Sequence, residues 1–143
     1  MKAKELIERL IWQENELYNL YKLGETFALF ERPELRDTFV IIAEEELRHR
    51  ETLRGLLEEG TLQSQIVDYM EGLSLEPILS DERTKPESLE ELVVEGVLRE
   101  KHAYEMYLKL AGLLREPLSD IFMHLAREEL THAYRLKLIY ESL

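Results

Sequence analysis

The chain has 143 residues, 45% of them hydrophobic and 34% charged, with 30 acidic against 18 basic side chains and a formal net charge of -12. That length suits one domain with a sizeable core, and the acidity opposes non-specific binding to nucleic-acid phosphates. There is no cysteine, which excludes disulfides, thiolate metal sites, iron–sulfur clusters and a cysteine nucleophile; no apolar run approaches the ~20 residues of a membrane span, so a cytoplasmic protein with no membrane or nucleic-acid partner is expected.

Residues 2–30 read as a helix, because Leu6, Ile7, Leu10, Ile11, Leu17, Tyr18 and Tyr21 recur with the period of one buried stripe. Glu14 sits inside that stripe, where a leucine would be expected. Pro33 marks a short connection and suits the first turn of a second helix. That helix runs to about Glu59, with Phe39, Ile42, Ala43, Leu53, Leu56 and Leu57 as its stripe and Gly60 as its stop. Glu46 and His49 interrupt the stripe between Ile42 and Leu53. Residues 60–86 hold Gly60, Gly72, Pro77 and Pro86 and a polar run from Ser80 to Lys85. They read as a long crossover with a short helix at about Gln65 to Met70. A third helix spans about Glu87 to Leu114, with Glu100 continuing the stripe of Val93, Val97, Tyr104 and Tyr107. Pro117 marks the next tight connection, and a fourth helix carries Glu129 and His132 between Leu125 and Leu136. The expected fold is all-α: one domain over residues 1–143, an antiparallel four-helix bundle of two helical hairpins (about 2–59 and 87–142) joined by the crossover at about 60–86.

The halves repeat. Glu14, Tyr18 and Tyr21 recur at one constant offset as Glu100, Tyr104 and Tyr107. Asp37, Phe39, Ala43, Glu45, Glu46, Leu47, His49 and Leu53 recur at another as Asp120, Phe122, Ala126, Glu128, Glu129, Leu130, His132 and Leu136. The difference between the offsets falls in the hairpin loop, where length varies cheaply. Internal duplication predicts a pseudo-two-fold axis. Counting from a turn near residues 31–32, Glu14, Glu46 and His49 all lie roughly 21–27 Å along the hairpin at ~1.5 Å per residue. The second hairpin levels Glu100, Glu129 and His132 in the same way.

Each Glu-x-x-His pair sets a carboxylate and an imidazole about one turn apart on one helix face. Four carboxylates buried without cations would be prohibitive, since one unpaired buried charge already costs several kcal/mol. Glu14, Glu46, His49, Glu100, Glu129 and His132 therefore form the expected ligand set of a dinuclear site inside four helices. Hard carboxylates with imidazoles suit two iron ions, with manganese as the alternative, better than copper, and they exceed the needs of one tetrahedral zinc. Glu46 and Glu129 are expected to bridge, with Glu14 and Glu100 terminal and one histidine per metal. Tyr18 and Tyr104 lie one turn from Glu14 and Glu100, and Tyr21 and Tyr107 two turns; their hydroxyls are candidates to hydrogen-bond ligand carboxylates, or they are core aromatics. Glu45 and Glu128 rotate away from the ligands and read as surface groups or as supports behind them. His102 and His124 read as surface histidines, and Trp12 as packing or an oligomer contact.

The chain resembles the ferritin-like superfamily, most closely its rubrerythrin-like branch. The likeness is carried by Glu14 with Tyr21, by Ala43-Glu44-Glu45-Glu46-Leu47-Arg48-His49, by Glu100 with Tyr107 and by Glu128-Glu129-Leu130-Thr131-His132. It implies a ferritin-like bundle with a left-handed crossover between helices 2 and 3, a di-iron centre supported by Tyr21 and Tyr107, and a homodimer or larger homo-oligomer. It also implies peroxide, dioxygen or ferrous iron as substrate. Rubrerythrins end in a four-cysteine rubredoxin domain, and this chain has none, so a separate electron-transfer protein is expected. They also carry an extra glutamate one turn from the helix-3 ligand; here the positions are Gly96, Val97, Ala103 and Tyr104, which weakens the expectation of rubrerythrin-type peroxidase chemistry. The expected function is a redox reaction with peroxide or dioxygen in oxidative-stress defence or iron handling. The alternatives are iron storage with ferroxidase loading, and a structural or regulatory bundle stabilised by metal.

Overall fold

The computed structural model describes residues 3–58 and 85–143. Among these are four α-helices and no strand: α1 (Ala3–Glu31), α2 (Arg36–Glu58), α3 (Leu89–Leu113) and α4 (Leu118–Ser142). α1 packs most extensively on α2 and α3 on α4, and α1 also meets α3. This is the expected four-helix bundle. Of the expected crossover only Lys85 and Pro86 fall among the described residues; the short helix at Gln65 to Met70 lies outside them.

Two helix starts differ from the sequence reading. Pro33 opens a separate 3-10 turn, Pro33–Leu35, and α2 begins only at Arg36. The Leu35 amide bonds back to the Arg32 carbonyl at 2.9 Å, so the chain turns tightly before the wider helix begins. At the other hairpin the start comes slightly later than Glu87. Ser88 is the N-cap of α3, and its hydroxyl accepts from the Glu91 amide at 3.2 Å. The Glu91 carboxylate in turn accepts from the Glu87 amide at 2.8 Å. The Ser88 hydroxyl satisfies a donor that the first helical turn leaves open, and the Glu91 carboxylate ties down the residue before the cap.

The core has two apolar parts. One gathers Leu6, Ile7 and Leu10 of α1 with Leu53 and Leu56 of α2, Met106 and Leu110 of α3 and Phe122 and Leu125 of α4. The other gathers Leu17 and Leu20 with Phe39 and Ile42, Leu92 and Val93, and Leu136 and Ile139. Each fully buried Leu or Phe contributes about 1.5–3 kcal/mol. On every helix the sequence passes from one part to the other through the position of the polar cluster. Because α1 faces both α2 and α3, its buried arc is wider than one stripe. Gln13 is consequently buried, whereas Ile11, expected inside, is half-buried at the margin.

Candidate metal centre

Glu14, Glu46, Glu100, Glu129 and His132 are 0% exposed and His49 is 2% exposed. The four helices bring all six together between the two apolar parts of the core. Their donor atoms form two overlapping groups, each with all its atoms within 4.8 Å of one another. One is Glu14, Glu46, His49 and Glu129; the other is Glu46, Glu100, Glu129 and His132. Glu46 and Glu129 belong to both. The imidazole rings of His49 and His132 lie 5.8 Å apart between centroids, with planes 22° from parallel.

The outward nitrogens show how the rings are held. His49 Nε2 lies 2.6 Å from Glu128 Oε2, and His132 Nε2 lies 2.6 Å from Glu45 Oε2. A carboxylate only accepts, so each Nε2–H donates outward and each Nδ1 is left facing the cluster. Both contacts cross between the hairpins. Glu45 also accepts from Arg135 Nη1 at 3.2 Å, and Glu128 Oε1 lies 2.7 Å from His124 Nε2. The sequence left Glu45 and Glu128 open between surface and support; the structure places them behind the histidines. His124 is exposed as expected, yet it reaches the carboxylate that holds His49. The duplication had shown the doublet Glu45-Glu46 repeated as Glu128-Glu129, but not that each outer glutamate reaches the histidine of the other hairpin.

The tyrosines cross over too. Tyr21 on α1 donates to Glu100 Oε1 on α3 at 2.5 Å, and Tyr107 on α3 donates to Glu14 Oε1 on α1 at 2.5 Å. Burial, reinforced by Glu100 for Tyr21 and by Glu14 for Tyr107, raises both hydroxyls well above the usual phenol range, so they stay neutral donors. Tyr18 and Tyr104 instead pack, half-buried, against the core.

What remains unsatisfied is informative. Glu14 Oε2, Glu46 Oε2, Glu100 Oε2, both Glu129 oxygens and His49 Nδ1 are buried without a hydrogen-bond partner. Each such atom costs about 1–3 kcal/mol, and more when charged. His49 Nδ1 is 2.9 Å from Glu129 Oε1, but in a direction that makes no hydrogen bond. The electrostatics are equally tense. Burial, with Glu100, Glu129 and Glu14 adding repulsion, raises Glu46 well above the carboxylate range. Burial and Glu129 push Glu100 up to about 8. Burial acts to raise Glu129 as well, but His132 and His49 outweigh it and hold this carboxyl at about 2. Burial alone would lower His132, yet Glu100 and Glu129 push it up to about 11; His49 is raised in the same manner by Glu129, Glu14 and Glu46. Burial and mutual repulsion thus raise two of the carboxyls, while the surrounding carboxylates favour the protonated form of both imidazoles. Oxygen and imidazole donors in two sets sharing two carboxylates fit a pair of divalent ions.

Comparison with known proteins gives one family. The model described as Rubrerythrin matches residues 5–140. No curated protein and no solved structure matches the chain. Among the described residues, no helix is long and apolar enough to cross a membrane.

Proposed function

The chain belongs to the rubrerythrin family, and from that premise we propose that it is a non-haem di-iron carboxylate protein that reduces peroxide or dioxygen in oxidative-stress defence or iron handling. The observation that supports this most is the sharing of Glu46 and Glu129 between two donor groups, as carboxylates bridging two ions require. In this reading Glu14 and His49 complete one ion's set, and Glu100 and His132 complete the other's. Two ferrous ions held there would supply Lewis acidity and the two electrons that, with two protons, take hydrogen peroxide to two waters.

The protein's own part is positioning. Tyr21 and Tyr107 each occupy one oxygen of a terminal glutamate and leave the other, unpartnered, for the interior. Glu45 and Glu128 keep the proton of each histidine on the outward nitrogen. Pre-organised ligands of this kind spare the site reorganisation when charge changes. The positions one turn from Glu100 are Gly96, Val97, Ala103 and Tyr104, so α3 offers no second carboxylate on that face to exchange with it.

The test is anaerobic loading with ferrous iron to two ions per chain, followed by one equivalent of hydrogen peroxide. The expected outcome is prompt near-ultraviolet ferric absorption and a magnetically coupled ferric pair by Mössbauer spectroscopy. Full occupancy with no spectral change would sink the proposal.

A further inference from the structure

Ions that fill the buried centre need a way in, and the α2–α4 seam offers one in polar side chains. Among the described residues α1 packs most extensively on α2, and α3 on α4. At the level of the centre α2 and α4 meet instead through Glu45 to His132, Glu128 to His49 and Arg135 to Glu45. A cation passes polar groups of this kind at far smaller cost than it passes packed apolar side chains. Exposure falls inward along the seam: the His124 side chain is 69% exposed, Glu128 30% and Glu45 16%, with both ligand histidines buried behind them. Donor atoms of Glu45, Glu128 and His132 lie within 4.8 Å of one another. Each glutamate gives Oε2 to a ligand histidine and Oε1 to a more exposed side chain. Glu128 Oε1 meets His124 Nε2 at 2.7 Å, and Glu45 Oε1 meets Arg135 Nη1 at 3.2 Å.

The internal duplication breaks at these two outer partners. At the offset that relates α2 to α4, the counterpart of His124 is Ile41 and that of Arg135 is Thr52. The carboxylates are duplicated, but the imidazole that reaches them from solvent is not. Two carboxylates and an imidazole suit iron, manganese or zinc. Immediately inward, His49 Nδ1 and both Glu129 oxygens are buried without a hydrogen-bond partner, so unsatisfied donors lie one imidazole ring beyond the outer pair. We propose that Glu45, Glu128 and His124 form an outer divalent-cation site that loads the buried centre, an inference that rests on reading that centre as a pair of ions. The cation takes one oxygen from each glutamate and Nε2 from His124, while the Arg135 guanidinium, 41% exposed, gives up Glu45 Oε1 to it. Transfer inward exchanges these ligands for Glu46, Glu129 and the inward nitrogens of His49 and His132.

The experiment uses full-length metal-free protein and zinc, so its readout does not depend on iron chemistry. Crystals grown with excess zinc are expected to show three anomalous peaks per chain at the zinc edge: two in the centre and one between Glu45 and Glu128. His124→Ala should lose the outer peak and keep the inner two. In stopped-flow mixing against a chromophoric zinc indicator it should fill the centre about tenfold more slowly than the wild type. His102→Ala, which removes another exposed histidine, on α3, should load at the wild-type rate. Both substitutions are at exposed positions, and circular dichroism checks that the helices are intact. Absence of a peak at Glu45 and Glu128, wild-type loading by His124→Ala, or equal slowing by His102→Ala would each overturn the proposal. Iron-loaded protein inert toward peroxide would defeat the redox reading and leave this loading result standing.

Discussion

Glu14 occupies a place in the α1 stripe where leucine would bury ordinary apolar surface, and its Oε2 has no partner. Replacing buried charge with well-packed apolar groups of similar size is often neutral or stabilising by about 1–4 kcal/mol. Tyr107 donates to Glu14, so its hydroxyl must be removed with it. The Glu14→Leu/Tyr107→Phe variant is therefore expected to melt higher than the wild type when both are metal-free, and to bind one divalent ion per chain in the centre against the two proposed there for the wild type. Calorimetric melting of the two apo proteins decides the first point, and a lower variant midpoint counts against buried charge as the site's cost. Protons give a second prediction. His132 raised to about 11 and Glu100 to about 8 both hold protons at pH 7 in the metal-free protein, and a cation must displace them. Apparent metal affinity should thus rise as pH increases from 6 to 8. Titration calorimetry in buffers of different ionisation enthalpy should report proton release, and a buffer-independent heat would contradict the assignment. At this scale the clustered residues were legible in the sequence because a glutamate inside a leucine stripe violates burial rules. Glu45, Glu128 and Arg135 were not, because their partners lie on the opposite hairpin and no spacing along one helix encodes a contact across two.

α1 and α2 approach closely at Gly24. A Cβ added there would meet the Phe39 ring at 2.7 Å and 2.9 Å. Overpacking a core against a rigid ring costs typically 1–3 kcal/mol, about as much as or more than the ~1 kcal/mol that alanine gains over glycine in a helix. Gly55 on α2 has nothing within 4 Å of the same added atom. Gly24→Ala is accordingly expected to lower the denaturation midpoint, and Gly55→Ala to raise stability by about 0.5–1 kcal/mol. Urea unfolding of the pair checks both signs, and equal shifts would refute the close approach. Gly96 shows the same logic on α3. Its missing Cβ leaves room for Leu136 at 2.9 Å and for the Tyr21 ring and hydroxyl at 3.4 and 3.5 Å, so the glycine beside Glu100 makes space for the tyrosine that bonds it. Element existence was legible from the 3.6-residue period and the proline punctuation. The exact helix starts were not, because they turn on local hydrogen bonds: the 3-10 turn at Pro33 and the Ser88 cap.

Across the whole molecule, two apolar half-cores are separated by a layer of four carboxylates and two imidazoles. Metal that binds only the folded state stabilises it by mass action, about 4 kcal/mol for each site held at a thousand-fold excess over its dissociation constant. For a chain of this size, removing both ions with a chelator should lower the melting temperature by roughly 10 °C or more. Melts within two degrees of each other with and without saturating ferrous iron under argon would refute a metal-linked fold. The sequence by itself determined the four helices of the described residues, their pairing and the levels of the six clustered side chains, because periodicity, turn residues and internal duplication are local or repeated signals. Only the tertiary structure decided how the hairpins lock together: Tyr21 to Glu100, Tyr107 to Glu14, Glu45 to His132 and Glu128 to His49 all join one half to the other. It also decided that Lys101 of α3 and Lys137 of α4 line one groove with Tyr104 and Tyr134. The reason is physical: a helix fixes which of its own side chains share a face, whereas the partner that each face meets is set by how the helices rotate and pack against one another.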